Sequence, residues 1–100
     1  MTPVRIDLNN PEFQADLFAL QKEEQFEILG TLKKISKMSW EQVYRDPGLR
    51  WEACLSRKGP HGERLYTFRI TRKLRALAYR QEDWLRILSL HPDHDSAYGR

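Results

Sequence analysis

The spacing of apolar residues in this 100-residue chain changes from a helical to an alternating period at Asp46-Pro47-Gly48, and no other feature constrains the fold as strongly. Before that turn, apolar residues recur every three or four positions, the period of a helix face. After it they recur every second position, the period of a half-buried strand. Phe13, Leu17 and Leu20 fall at i, i+4 and i+7. Ahead of them, Asn10 supplies a cap, Pro11 a first-turn residue with a helical φ, and Glu12 an acid at the positive helix end. Ile28, Leu32 and Ile35 repeat the spacing over a second helix, about Glu23 to Met38, and Phe26 and Leu29 widen its stripe. The short polar link between them predicts a helical hairpin. Trp40, Val43 and Tyr44 suggest one further helical turn. A short alternating segment, 4–8, precedes the helices and reads as a strand.

After the turn, residues 50–57, 64–71, 74–81 and 84–91 read as four strands. Lys58 to Glu63 form a loop, and Arg72-Lys73 and Gln81-Glu82-Asp83 are short enough for hairpins. The order is β-α-α-β-β-β-β. This predicts an α+β fold: an N-terminal strand, a helical hairpin, then an antiparallel β-meander with the helices packed on one sheet face. One domain of this kind accounts for 1–100.

Alternation also sorts side chains by face. Trp51, Ala53 and Leu55 point one way, with Tyr66, Phe68 and Ile70 and with Leu74, Ala76 and Ala78. That face is apolar and is expected to meet the helices. The other face gathers Glu52, Cys54, Thr67, Arg69, Arg75 and Tyr79. A carboxylate beside two guanidiniums reads either as a cross-strand ion-pair ladder or as an anion site with a built-in general base. Cys54 shares that face, and a structural thiol is the simpler reading.

The charge follows the same division. The net charge is +3, but residues 1–44 carry 5 basic and 7 acidic side chains, while residues 45–100 carry 12 basic and 7 acidic ones. Of those 12 bases 10 are Arg, whose planar fork matches phosphate oxygens. One cysteine excludes an intrachain disulfide framework and a multi-cysteine zinc site, and fits a reducing, cytoplasmic setting. No apolar run approaches the roughly 20 residues that span a bilayer, and the N-terminus shows no secretory h-region, so no membrane partner is expected.

The last strand leads into His91-Pro92-Asp93-His94-Asp95-Ser96-Ala97-Tyr98, a segment dense in groups that move protons. It reads as a solvated tail, as a His/Asp metal site, or as a Ser–His–Asp arrangement using Ser96 or Ser89 with His94 and Asp95. The spacing matches no metalloprotease helix motif and no nucleophile elbow.

Tyr66-Thr67-Phe68-Arg69-Ile70, then a hairpin, then Arg75-Ala76-Leu77-Ala78-Tyr79, resembles the aromatic-x-x-Arg-Ile and Arg-aliphatic-x-x-Tyr pattern of the RelE/ParE superfamily of toxins from bacterial type II toxin–antitoxin systems. His94 followed by Tyr98 resembles the terminal His-x-x-x-aromatic signature of its RNA-cleaving members, the RelE/YoeB-like branch. The resemblance spans nearly the whole chain. It implies an endoribonuclease that cuts mRNA on the ribosome without a metal or other cofactor, by attack of a 2′-hydroxyl on the adjacent phosphorus. It assigns Glu52 as base, Arg75 and Arg69 to the scissile phosphate, His94 to acid–base transfer and Tyr98 to the tail aromatic. His91 is the alternative proton carrier, and the spacing to Tyr98 favours His94.

The cationic residues Arg57, Lys58, Arg72 and Lys73 are then candidates for RNA binding. The implied partners are mRNA, ribosomal RNA and a cognate antitoxin in a hetero-oligomer. Trp40, Tyr44 and Trp84 are candidates for the antitoxin contact, with core packing as the alternative for each. The acidic helical half departs from the strongly basic, ribosome-avid members. A ParE-type toxin that binds DNA gyrase without catalysis, and an inactive toxin fold that only pairs with an antitoxin, are the competing readings.

Overall fold

The structure, a computed structural model, describes residues 2–92. Its elements are β1 (Arg5–Asp7), α1 (Pro11–Ala19), α2 (Lys22–Ile35), α3 (Trp40–Arg45), β2 (Glu52–Lys58), β3 (Arg64–Thr71), β4 (Leu74–Gln81) and β5 (Trp84–His91). The architecture is α+β, as the change of period predicts. The strand order is β1-β5-β4-β3-β2, antiparallel except for β1, which runs parallel to β5. The chain therefore starts at one sheet edge and, after α1 to α3, re-enters at the other.

Each helix starts on a local hydrogen-bond signal. Asn10 Oδ1 accepts from the backbone N–H of Glu12 (2.8 Å) and of Phe13 (3.3 Å). The Glu24 carboxylate accepts from the Gln21 N–H. Ser39 and Gln42 close a reciprocal capping box on α3. α2 stops at Ile35 rather than Met38, because the N–H groups of Lys37 and Met38 bond three residues back, to Lys34 and Ile35. Those tighter turns cannot continue an α-helix. Asp46 then fixes the reversal: its carboxylate accepts from the N–H groups of Gly48 and Leu49 and pairs with Lys34 at 3.0 Å.

The main core joins Phe13 of α1, Ile28, Leu32 and Ile35 of α2, and Trp40 and Val43 of α3 to Phe68, Leu74, Ala76, Ala78, Leu85, Ile87 and Leu90 of the sheet. Four expectations need correction. Phe26 and Leu29 do not widen the buried stripe of α2; they are exposed, because the stripe that packs into the core is the narrower Ile28, Leu32 and Ile35. Leu55 is 81% exposed, since the β2–β3 register breaks between Cys54 and Lys58 and the outer half of this edge strand leaves the core. Trp40 is buried, its ring N–H donating to the Asp83 carbonyl, and is no surface contact. Nor is the second sheet face uniformly polar. Cys54, Leu65, Leu77 and Tyr79 form a small buried cluster there, joined by Leu88 at the register shift of β5.

β1 is only three residues long and is tied to β5 by side chains as well as backbone. Arg86 donates to the Asp7 carboxylate, and Arg5 and Arg86 both lie over the Trp84 ring. The hydrogen bond from the Asn9 N–H, followed by that from Arg86, holds the Asp7 carboxyl below the usual carboxylate range against the opposing effect of burial. A carboxyl depressed in the folded state adds stability above its unfolded pKa, and loses it as pH falls through the folded value. Asp7→Asn is therefore expected to cost about 1–2 kcal/mol at pH 7. It should also flatten the loss of stability below about pH 4, read by urea titration across pH.

Candidate active site

Strand register builds the site on the sheet face opposite the helices. Arg69 pairs with Arg75, and Arg75 with His91, so three titratable or cationic side chains stand in one cross-strand row. The adjacent row is Glu52, Thr67, Leu77 and Ser89. Two arginines directly opposite each other repel. Arg75 turns its guanidinium toward the second row. Its Nη2 donates to Thr67 Oγ1 at 2.9 Å and to the Arg50 carbonyl at 3.1 Å, and lies 3.8 Å from Glu52 Oε2. The Arg75 side chain is only 6% exposed and that of Glu52 39%. Arg75 Nε is buried without an acceptor among the described residues.

A buried cation whose donors are fixed by two oxygens is a rigid source of positive field. Arg69, half-buried in the same row, is the more accessible guanidinium. At the other end of the row, Ser89 Oγ lies 2.9 Å from His91 Nε2, which fixes the imidazole orientation with either tautomer. Burial, then the charge of Arg57, hold the His91 imidazole below the ordinary histidine range; Asp16 and Glu12 on α1 oppose them. A neutral imidazole at pH 7 is a competent proton acceptor.

The structure thus brings Glu52, Arg69 and Arg75 together and adds His91. Arg57 is exposed but close enough to act on His91. Lys58 pairs with Arg64 at one end of β3, whereas Arg72 and Lys73 form the turn at its other end, so the four cations flank the site from two sides. His94 and Tyr98, like Asp95 and Ser96, lie outside the described residues. Ser89 approaches His91. Sequence reading missed Asp16, whose carboxylate accepts from the Leu90 N–H at 2.9 Å and ties α1 to the strand that carries His91. The available signal was spacing: Asp16 follows Phe13 by three residues and shares its inward face.

No protein-family model and no curated protein sequence match the chain. Solved structures do. A chain of the archaeal RelE–RelB complex from Pyrococcus horikoshii OT3 superposes with a TM-score of 0.59 at 21% identity, over 100% of this chain and 99% of that one. A copper-bound mutant toxin from Helicobacter pylori gives 0.49 at 20% identity, over 96% and 98%. The first likeness shows that the fold is RelE-like.

Proposed function

We propose that this chain is the toxin of a toxin–antitoxin pair and an endoribonuclease that cuts mRNA on the ribosome by side-chain acid–base chemistry. The single observation that carries the reading is the Arg69–Arg75–His91 row with Glu52 beside it. The RelE-like fold supports it, and supports an antitoxin as partner by analogy with the RelE–RelB complex.

In the proposed step, Glu52 or His91 takes the proton of a 2′-hydroxyl, whose oxygen bonds to the adjacent phosphorus. The bond from phosphorus to the 5′-oxygen breaks, and an acid returns a proton to that oxygen. His94 is proposed as the acid, with Tyr98 beside the base or sugar. The products are a 2′,3′-cyclic phosphate and a 5′-hydroxyl. Negative charge grows on the phosphoryl oxygens, where fixed cations help most. Arg69 is proposed to touch them, and Arg75 to supply field from below. Arg57, Lys58, Arg72 and Lys73 are proposed to hold the flanking RNA backbone.

The pH profile tests the assignment of His91. The acid limb of cleavage by the native chain is expected at lower pH than an ordinary histidine would give, because burial and then the charge of Arg57 hold the His91 imidazole below its usual range. Arg57→Gln removes a neighbouring positive charge, raises the histidine pKa and moves the acid limb of kcat/KM toward neutrality. An acid limb that ignores Arg57→Gln would take His91 out of the proton path.

A further inference from the structure

The opposite sheet face carries a second set of groups that the cleavage chemistry does not use. Beside β2, the Trp51 ring lies 4.8 Å from the Tyr66 ring at 19° and 6.0 Å from the Tyr44 ring. Tyr44 is exposed, and Trp51 and Tyr66 are half-buried. Arg80 lies over Tyr44 and donates to its hydroxyl at 2.7 Å. Arg64 follows the same alternation as Tyr66 and is exposed at the end of β3. Among the described residues no carboxylate pairs with Arg64 or Arg80.

We propose that this aromatic–arginine face binds single-stranded RNA, its bases stacking on Tyr66 and Trp51 and its phosphates meeting Arg64 and Arg80. The inference rests on the reading of the chain as an RNA-cutting protein and extends it to a second contact. Sequence-tolerant single-strand binding needs aromatic platforms beside a basic rim, and that is the composition of this face. Ring content selects it over the other exposed apolar patch. Phe18, Phe26 and Leu29 on the helical hairpin have a cation beside them, Lys22 over the Phe26 ring, but no two stacked rings among the described residues. Topology connects the two faces. β2 is the sheet edge, with Trp51 beside one face and Glu52 on the other, so an RNA passing over that edge reaches both.

The test is fluorescence anisotropy with a labelled 2′-O-methyl oligouridylate, which has no 2′-hydroxyl to attack and reports binding alone. Tyr66→Ala is expected to weaken binding about tenfold, and Tyr66→Phe to preserve it. Arg64→Glu should weaken binding and reduce its salt dependence. Tyr66→Leu, which keeps bulk without a ring, replaces the alanine variant if circular dichroism shows that one unfolded. Native affinity in both Tyr66→Leu and Arg64→Glu would overturn the proposal. So would loss of a protein partner in Tyr66→Leu with RNA affinity unchanged, which would make the face a protein contact. The two readings fail separately. Tyr66-dependent binding of RNA that is never cut would sink the nuclease and leave this face standing. Cleavage by Tyr66→Leu at an unchanged KM would do the reverse.

Discussion

Arg75→Lys is expected to lower kcat for RNA cleavage by about a hundredfold while KM changes little. The substitution keeps the charge, so attraction of the RNA backbone at long range survives. It removes the planar fork that donates to Thr67 and Arg50 from one fixed position. A lysine ammonium on a flexible stem cannot hold both oxygens, and the field under the phosphate loses its direction. The conservative change matters, because Arg75→Ala empties a buried site and leaves the Thr67 hydroxyl without its donor, a cost of about 2 kcal/mol before any chemistry is measured. Single-turnover kinetics beside thermal melts separate the two effects. If Arg75→Lys cuts at the native rate, the fixed guanidinium fork of Arg75 has no part in the chemistry; a lowered melt beside that rate would make it a structural clamp.

Phe13→Ala is expected to cost about 3–5 kcal/mol, the largest loss from any single substitution considered. Phe13 is the only fully buried side chain of α1, and it joins that helix to the main core. A 100-residue domain has about 5–15 kcal/mol of total stability, so the variant sits near the edge of folding. Its Tm should fall by roughly 4–8 °C for each kcal/mol lost. The damage should be uneven. Without Phe13, α1 keeps its Asn10 cap, the bond from Leu90 to Asp16 and the partly buried Leu17 and Leu20, but loses its fully buried anchor. Hydrogen exchange is therefore expected to speed first in α1, before the strands of the meander. Uniform loss of protection would show that α1 and the sheet unfold as one unit.

Much of this architecture is legible in the sequence because turn residues bracket strongly alternating runs. Residues 64–71, 74–81 and 84–91 form the strands that alternation predicts. Glu52, Arg69 and Arg75 share a face for the same reason: period 2 fixes the side of the sheet once a register is chosen. Partnership is what the sequence hides. Three residues of β1 say nothing about which edge they will join, and the parallel pairing with β5 follows from helices that carry the chain across the sheet. The second apolar cluster is hidden too, since Leu74 to Tyr79 are buried on both faces and alternation cannot separate two dry sides. Apolar spacing on α2 marks a stripe without marking how much of it is covered, hence the exposed Phe26 and Leu29. Asp16 reaches the site from another element: its spacing from Phe13 marks an inward face but not the strand that it meets.

The fold and the row of Arg69, Arg75 and His91 meet in one chemical claim, that a 2′-hydroxyl attacks its neighbouring phosphate on this face of the sheet. Analysis of the RNA ends after incubation of the purified protein with ribosome-bound message tests it most directly. The expected result is cleavage that leaves a 2′,3′-cyclic phosphate and a 5′-hydroxyl, sharply reduced by Arg75→Lys and by His91→Ala. Intact message, with supercoiling by DNA gyrase inhibited instead, would contradict it.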